Sequence, residues 1–292
     1  HYYMDAGMRG ATILRNDAIP HTAAMLPNVY WAKKIFPELS EKEAFDALWE
    51  RMSTALYLDS DDPEQYWKEH SGELHSRAEK LTSMAFDKLC IKGEGTDISM
   101  ELPENHIWIG GTMVSAGGCK YIPQIPTEEI FTAPHINGVN GGINIRTGSF
   151  FRGSYTPGLK VAFADGEMES LTSDVPEFAE SLLSVIRTND GGDRLGEIAL
   201  VCADSGVKAA DCFFCHNLFD ENKCSHMAFG HAYRFSIADG EGMSDAEFRE
   251  SGGNVCTFHY DIMFDSENMS VTAVKDGAET PIMTEGHWAF TV

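Results

Sequence analysis

The sequence predicts a protein of the α/β class in which helices and strands are mixed, with two domains. Apolar residues recur at helical spacing between residues 40 and 88, which indicates amphipathic helices. After Gly93-Glu94-Gly95 the chain changes to short apolar runs separated by glycine-rich turns, a pattern that is typical of strands. We therefore place the two domains at residues 1–100 and 101–292.

Two helices are predicted in the first domain. Ser40 and Glu43 form a capping-box pattern at the start of the first helix, and Leu48 and Met52 follow on one face. The second helical pattern runs over residues 63–88. We interpret both helices as scaffold.

The second domain is predicted to consist mainly of strands. Apolar runs at residues 106–113 and 143–147 and a hairpin around Asp165-Gly166 indicate a sheet. A helix is predicted over residues 176–187, and a fully apolar strand at residues 197–202 that begins with a carboxylate.

The composition indicates a globular protein that binds neither nucleic acid nor a membrane. Hydrophobic residues make up 43% of the 292 residues and charged residues 23%, close to the average for globular proteins. No apolar run approaches the roughly 18 residues of a membrane span. Lys and Arg number 22 against 45 Asp and Glu, and the formal charge of -23 repels phosphate backbones but attracts cationic groups such as peptide amino termini.

The cysteines and the first residues bear on the location and extent of the protein. Seven cysteines, an odd number, together with the lack of a secretory signal, predict a reducing cytoplasm rather than a disulfide framework. The chain begins His1-Tyr2-Tyr3-Met4, which resembles neither an initiator methionine nor a targeting segment. We expect that a preceding N-terminal segment is missing.

Carboxylates and imidazoles are concentrated in the last third of the chain. Glu197 follows a glycine, Glu221 and His226 lie in the segment FDENKCSH, and His259 and Asp261 lie in the segment HYD. This combination of side chains suits zinc, cobalt, manganese or magnesium. Because the set exceeds the four ligands of one tetrahedral ion, it indicates two ions, as in hydrolases that cleave peptide or phosphate bonds.

The spacing of these residues restricts how they can meet. His259 and Asp261 alternate on a predicted strand and therefore share a face. Glu221 and His226 are separated by about 140° on a helix, so they converge only if Glu221 lies in the turn before the helix. Tyr233 is predicted to share a helix face with His226.

A competing interpretation places a structural zinc ion nearby. Cys212-x-x-Cys215, with Cys224 and His226 further on, has the composition of a small zinc-binding loop. The first two cysteines lie in an apolar, strand-like run, so we favour core packing for them.

Other motifs carry no catalytic signature. The glycine-rich segments lack the lysine of a phosphate loop, and no Gly-x-Ser-x-Gly elbow is present. The remaining histidines are interpreted as surface or hydrogen-bonded residues: His21, His70, His75, His106, His135, His216, His231 and His287.

Over essentially its whole length, the sequence resembles the thermophilic-type metallo-aminopeptidases. The matching segments are residues 125–134 (IPTEEIFTAP), 195–201 (LGEIALV), 218–233 (LFDENKCSHMAFGHAY) and 259–263 (HYDIM). Lys223 and the segment 264–265 depart from the family's pattern, but neither departure removes a ligand.

The resemblance implies a centre with two divalent ions (zinc, cobalt or magnesium). Glu197 would bridge the ions and Tyr233 would be the catalytic tyrosine. Glu128 and Glu129 are neighbours that the motif does not separate, so Glu128 is a candidate general base beside Glu129 as ligand. The implied ligands are Glu129, Glu197, Glu221, His226, His259 and Asp261.

The resemblance also implies the architecture and the partners. We expect a partial α/β N-terminal domain followed by a mixed-sheet C-terminal catalytic domain, because the family's N-terminal domain is longer than the one present here. Peptide substrates, a homodimer and a cytoplasmic location are implied. Three hypotheses follow: an aminopeptidase that uses a metal-activated water, a zinc-stabilised noncatalytic binding module, or a truncated inactive relative of the peptidase.

Overall fold

The computed structural model describes residues 19–115, 117–146, 148–152, 154–264 and 267–292. The helices in these ranges are α1 (Val29–Ile35), α2 (Glu41–Ala55), α3 (Pro63–Met84), α4 (Pro176–Thr188), α5 (Gly206–Ala209), α6 (Asn217–Asp220) and α7 (Asp245–Glu250), with 3₁₀ helices at Arg234–Ser236 and Gly240–Gly242. The strands are β1 (Lys88–Gly93), β2 (Thr96–Glu101), β3 (Ile109–Gly110), β4 (Met113–Val114), β5 (Lys120–Tyr121), β6 (Glu129–Thr132), β7 (Val139–Ile145), β8 (Ser149–Phe151), β9 (Ser154–Thr156), β10 (Leu159–Ala164), β11 (Glu167–Ser173), β12 (Leu195–Val201), β13 (His226–Gly230), β14 (His259–Met263), β15 (Ser270–Lys275), β16 (Ala278–Thr284) and β17 (His287–Trp288).

The first predicted helix is confirmed as α2. The hydroxyl of Ser40 accepts a hydrogen bond from the backbone N–H of Glu43, whose carboxylate accepts one from the N–H of Ser40. Leu48 and Met52 on the inner face are fully buried, in a cluster that also contains Phe214. Helix α2 is therefore held both by its cap and by packing against the loop that precedes α6.

The second predicted helix is confirmed as α3, although it ends earlier than expected. Asp62 caps the helix and Pro63 occupies its first position, where no N–H is needed. The helix ends at Met84 rather than Lys88, because Ala85 adopts a left-handed conformation with φ of 46° and the chain then enters β1.

The larger sheet has eight antiparallel strands in the order β11-β10-β7-β2-β1-β15-β16-β17. The predicted hairpin joins β10 and β11, where Asp165 and Gly166 have φ of 48° and 81°, the positive values that tight hairpin turns require. Strands from both sides of residue 100 belong to this sheet. The division of the chain into two domains near residue 100 stays a prediction.

The smaller sheet has five antiparallel strands in the order β14-β13-β12-β6-β3. The strand predicted at residues 197–202 is observed as β12, and all its residues are buried. The strand predicted to carry His259 and Asp261 is observed as β14, and the helix predicted at residues 176–187 is observed as α4. The predicted mixture of helices and strands is confirmed.

One hydrophobic cluster joins the two sheets. It includes Ile91 and Ile98 of the larger sheet and Ile198, Met227 and Phe229 of the smaller sheet. Full burial of a side chain such as Phe229 contributes about 1.5–3 kcal/mol. None of the helices in the described ranges combines the length and apolar character that crossing a bilayer requires.

Candidate metal centre

The polar face of the smaller sheet carries the residues that the sequence analysis singled out. Its opposite face, with Ile198, Met227 and Ile262, belongs to the hydrophobic cluster. Paired residues on neighbouring strands project from the same side of a sheet. The pairs on the polar face are Glu129 with Val201, His226 with Ala199, Glu197 with Ala228, Asp261 with Ala228, and His259 with Gly230.

Small residues alternate with the polar ones on this face and leave room for them. Ala228 lies in register between Glu197 and Asp261, so no larger side chain separates the two carboxylates. Gly230 has φ of 94°, and a Cβ there would lie 2.3 Å from the carbonyl oxygen of Phe258. Glycine is therefore required at position 230 by both conformation and space.

The glycine of the LGE segment has a related function. The pairing of β12 with β13 shifts between Leu195 and Glu197, and a Cβ on Gly196 would lie 2.3 Å from the carbonyl oxygen of His231. Gly196 thus allows the backbone at His231 to lie against β12. That same carbonyl oxygen lies 2.7 Å from Nδ1 of His259.

The first group of converging side chains contains Glu129, Glu197 and His226. Nε2 of His226 lies 3.0 Å from Oε2 of Glu129 and 3.4 Å from Oε1 of Glu197. All three residues are buried, and one ligand atom from each lies within 4.8 Å of the others. The group can therefore coordinate one ion.

The second group contains Glu197, His259 and Asp261. Nε2 of His259 lies 3.6 Å from Oε2 of Glu197 and 3.2 Å from Oδ1 of Asp261. Glu197 thus directs one carboxylate oxygen towards each histidine. A carboxylate whose two oxygens face different ligand groups can bridge two ions.

The separations between these atoms are compatible with shared ions. Two nitrogen or oxygen ligands about 2.0–2.2 Å from one tetrahedral ion are about 3.3–3.6 Å apart, and the four observed separations run from 3.0 to 3.6 Å. Oε2 of Glu129 is buried without a hydrogen-bond partner, although Nε2 of His226 is near. An ion between Oε2 of Glu129 and Nε2 of His226 would interact with both atoms, so these residues fit a divalent metal ion.

Backbone carbonyl groups orient both imidazoles. Nδ1 of His259 lies 2.7 Å from the carbonyl oxygen of His231, and Nδ1 of His226 lies 3.4 Å from that of Cys224. A proton on each Nδ1 leaves the lone pair of Nε2 directed at the carboxylates, as metal ligation requires.

Glu221 reaches the centre from the turn before β13. Because His226 lies on this strand and not on a helix, the angle predicted from helical spacing does not apply. Glu221 is the residue that follows α6, and its Oε1 accepts a hydrogen bond of 2.8 Å from Nε2 of Gln124. The same amide nitrogen lies 3.4 Å from Oε1 of Glu129. Asn217 of α6 donates to Oδ2 of Asp261 at 3.3 Å. Gln124 and Asn217 cannot be recognised as site residues from the sequence, because neutral amides add nothing to a charge pattern.

Crowding of the carboxylates in a buried cleft changes their acidity. Burial raises the pKa of Glu197. Burial also raises the pKa of Glu221 well above its usual value, and the charges of Asp261 and Glu129 add to the effect. The pKa of Asp261 is lowered despite its burial, because the charged imidazole of His259 lies beside it.

The histidines are strongly affected by the same carboxylates. Burial alone would lower the pKa of His259, but Asp261 and Glu197 raise it to about 9. For His226, Glu129 and Glu197 overcome burial and raise the pKa well above its usual value. The metal-free centre therefore retains protons on groups that would have to release them to bind a cation.

Tyr233 lies at the same cleft, but the helical relationship predicted between His226 and Tyr233 is wrong. Residues 226–230 form β13, a strand whose residues are all buried, and Tyr233 follows it in a loop. The ring centroid of Tyr233 lies 5.2 Å from those of His259 and Phe235. Burial and the charge of Glu197 raise the pKa of Tyr233 well above its usual value, so its hydroxyl keeps its proton as a donor.

Glu128 is not brought to the centre. Its Oε2 lies 2.9 Å from Nε2 of His70 on α3, and its Oε1 accepts a hydrogen bond of 3.2 Å from the N–H of Gly206. Neighbouring residues of an extended segment project to opposite sides, which separates Glu128 from Glu129. The structure thus distinguishes the two adjacent glutamates that the motif left open.

The cysteines near His226 pack rather than converge. Residues 212–216 form a loop and not the strand-like run predicted, and Cys212 belongs to the cluster that contains Phe214. Burial raises the pKa of the Cys212 thiol to about 11. Within the described ranges, no group of three ligands within coordination distance includes Cys212, Cys215 or Cys224.

A cleft of about 270 Å³ opens above these groups. Apolar side chains line the cleft together with the ligands, and His21, interpreted from the sequence as a surface residue, lines it as well. The lining residues outside the predicted set include His21, Ile109, Met113, Phe131 and Phe235. Their apolar character alone did not distinguish them from core residues in the sequence.

The fold and this centre define a protein that presents a buried carboxylate and histidine site for divalent metal ions. A family model described as thermophilic metalloprotease (M29) matches residues 9–288, and the chain belongs to this family. The match confirms the resemblance that the sequence motifs indicated.

Individual relatives and a solved structure agree with this assignment. Aminopeptidase 2 of Geobacillus stearothermophilus is 36% identical over 266 residues, which cover 91% of this chain and 64% of the relative. Aminopeptidase T of Thermus thermophilus is 38% identical over 260 residues, which cover 88% of this chain and 62% of the relative. The solved structure of wild-type AmpT from Thermus thermophilus matches with a TM-score of 0.82 and 36% identity, over 90% of this chain and 63% of that chain. The chain therefore spans less than two thirds of the length of these proteins.

Proposed function

We propose that this protein is a metal-dependent aminopeptidase that hydrolyses the N-terminal peptide bond of peptides with the help of two divalent metal ions. The observation that carries the proposal is the position of the Glu197 carboxylate between two histidines. One of its oxygens lies 3.4 Å from Nε2 of His226, and the other lies 3.6 Å from Nε2 of His259. Two three-residue ligand groups that share one carboxylate are the arrangement expected of a two-ion centre.

The proposed ligands suit zinc, cobalt or magnesium. Two divalent cations would neutralise the four carboxylates of the centre when both imidazoles are neutral, which balances the charge of a buried site. We assign Glu129, and not Glu128, as the ligand from the IPTEE segment, because only Glu129 lies beside His226. The proposed ligands are Glu129, Glu197, Glu221, His226, His259 and Asp261.

When bound, such ions polarise a peptide carbonyl group and lower the pKa of coordinated water towards about 7. The protein would contribute the remaining polar interactions. The Tyr233 hydroxyl can donate a hydrogen bond to the carbonyl oxygen as negative charge develops there, because its raised pKa keeps the proton in place. Glu197 would hold both ions at the separation set by its two oxygens.

The cleft also favours a substrate with a free amino group. Its lining includes four carboxylates, which attract an ammonium group, and apolar residues such as Met113 and Phe235. We propose that the amino terminus lies at the carboxylates and that the first side chain contacts the apolar residues. This orientation would explain removal of single N-terminal residues.

The assembly and location remain proposals as well. We propose a cytoplasmic homodimer, with one domain ending near residue 100 and the catalytic domain over residues 101–292. Light scattering on the purified chain measures its mass in solution and so tests the homodimer. The chain spans 64% of the length of aminopeptidase 2, so activity should be compared between this chain and a longer chain extended at its amino terminus.

The decisive test is hydrolysis of amino-acid arylamides by metal-free and metal-loaded protein. We expect release of the arylamine only after addition of zinc, cobalt or magnesium, and its loss on chelation. Glu197→Gln should abolish both activity and retention of the second ion, whereas Glu279→Gln, a change at an exposed residue of β16, should change neither.

The alternative functions give different results. A zinc-stabilised binding module would lose its metal on change of Cys212 and Cys215 to serine and keep it in Glu197→Gln. A truncated inactive relative would bind two ions in this chain without turnover, and turnover would appear only in the extended chain. Inactivity of the extended, metal-loaded chain would contradict the proposal.

A further inference from the structure

A second cluster of metal-ligand side chains lies beyond the end of β12. Cys202 directly follows that strand, Asp204 lies two residues further on, and His287 begins β17. Sγ of Cys202 lies 3.8 Å from Nδ1 of His287, and Oδ2 of Asp204 lies 3.1 Å from the same nitrogen. We propose that these three side chains bind a third metal ion, of the zinc class, outside the catalytic cleft.

Both contacts involve the same nitrogen of His287. In a catalytic triad the nucleophile faces one imidazole nitrogen and the acid faces the other, so that the proton can be relayed. Here the thiol and the carboxylate converge on Nδ1, which leaves no such relay. Convergence of three different ligand atoms on one region is instead what coordination requires.

The separations agree with tetrahedral coordination of zinc. Zinc bonds of about 2.3 Å to sulfur and about 2.0–2.2 Å to nitrogen or oxygen place sulfur and nitrogen about 3.6 Å apart, and nitrogen and oxygen about 3.4 Å apart. The observed separations are 3.8 Å and 3.1 Å. All three ligand atoms lie within 4.8 Å of one another. Small rotations of the side chains would complete the geometry.

The backbone already holds the two contributing segments together. The N–H of Ala203, which lies between Cys202 and Asp204, donates a hydrogen bond of 2.9 Å to the carbonyl oxygen of Gly286, the residue before His287. Ion binding would therefore order side chains without reorganising the chain, which limits its entropic cost. The ion would join the end of a strand of the smaller sheet to the edge of the larger one.

The chemistry of the ligands distinguishes this site from the catalytic cleft. Thiolate and imidazole select zinc, cobalt or copper over magnesium and calcium, and the proposed ligands of the cleft include no sulfur. The side chains of His287 and Asp204 are 51% and 77% exposed, so water can complete the coordination and the ion can exchange with solution. Binding would release the thiol proton of Cys202 to the buffer.

Cobalt is the probe for this site, because a thiolate ligand gives a near-ultraviolet charge-transfer band that oxygen and nitrogen ligands do not give. The full chain is loaded with Co²⁺ in the presence of a reductant that is not a thiol. We expect the band in the unaltered protein, its loss in Cys202→Ser and His287→Gln, and one ion fewer per chain in both variants. Cys119→Ser, which alters another thiol that is exposed, is the matched control and should keep the band.

The test is independent of the proposed function. Glu197→Gln should keep the thiolate–cobalt band while it loses ions from the cleft, and Cys202→Ser should keep arylamide hydrolysis if the cleft is active. Circular dichroism establishes that each variant folds. Asp204→Asn is a third variant of the proposed site, after Cys202→Ser and His287→Gln, and it changes an exposed side chain. Three results would each overturn the third site: no band in the unaltered protein, a band retained in Cys202→Ser, or an equal metal content in Cys202→Ser and the unaltered protein.

Discussion

Gln124 donates a hydrogen bond of 2.8 Å to Glu221, although 97 positions separate the two residues in the sequence. The same amide nitrogen lies 3.4 Å from Glu129, so one neutral side chain spans two carboxylates of the metal centre. This contact favours the charged form of Glu221, whose pKa is raised by burial first and then by the charges of Asp261 and Glu129.

The first prediction concerns this amide. Gln124→Ala should weaken metal binding by about 10- to 100-fold, the usual effect of removing a residue that orients a ligand. Metal retention during dialysis against a graded series of chelator concentrations measures the change. Gln65→Ala, an exposed change on α3, is the control. Equal retention in Gln124→Ala and the unaltered protein would exclude an orienting function for Gln124.

The second prediction tests Tyr233. Tyr233→Phe removes the donor but keeps the ring that contacts His259 and Phe235. We expect kcat to fall by about 100- to 1,000-fold, as on loss of one oxyanion donor, with little change in KM and metal content. Tyr30→Phe, at a side chain that is 92% exposed, should behave as the unaltered protein does. A parallel loss of metal would instead assign Tyr233 to the structure of the centre.

The third prediction compares the adjacent glutamates. Glu129→Gln should release an ion, because Glu129 lies 3.0 Å from Nε2 of His226. Glu128→Gln should keep both ions and lower the midpoint of thermal unfolding, because Glu128 is buried against His70 and Gly206. Metal analysis and thermal unfolding separate the two effects. Loss of an ion from Glu128→Gln alone would reverse our assignment.

The fourth prediction concerns protons in the metal-free centre. The pKa of His259 is about 9 in the folded chain against a usual value of 6.5. The stabilisation from its charged form is therefore complete below pH 6.5 and is lost as the pH rises towards about 9. We expect the unfolding midpoint of metal-free protein to fall over this range, and that of metal-loaded protein to change less.

Calorimetric titration gives an independent measure of the same protons. Metal binding at pH 7 to Cys202→Ser, which lacks the thiol of the proposed third site, should release protons from the centre, so the apparent binding enthalpy should depend on the ionisation enthalpy of the buffer. An enthalpy that is the same in all buffers would show that His226 and His259 are already neutral in the metal-free protein.

Local patterns in the sequence predicted much of the fold and of the centre. The capping box at Ser40 and the alternation around His259 and Asp261 depend on neighbouring residues, and both predictions are confirmed. The spacing of seven residues between His226 and Tyr233 predicts a shared helix face, but His226 begins a strand whose residues are all buried. A continuous apolar run such as Met227, Ala228 and Phe229 has neither the helical nor the strand period, so periodicity does not decide between them.

Relationships that depend on pairing between distant segments could not be predicted. Which of two adjacent glutamates faces the centre is decided by the pairing of Glu129 with Val201 of β12. The amides of Gln124 and Asn217 gain their importance only from the carboxylates that folding brings near them. His287 lies 85 positions from Cys202 in the sequence, and its approach to Cys202 depends on the edge of the larger sheet.

The alanine and glycine residues between the ligands have a consequence for how this cleft can change during evolution. Gly230 has no space for a side chain, and Ala228 lies in register with Asp261, so a larger residue at either position would disturb the ligands. Met113, which also lines the cleft, lies on the short strand β4 and is only partly buried. New substrate preferences are therefore expected to arise by substitution at positions such as Met113 rather than at Gly230.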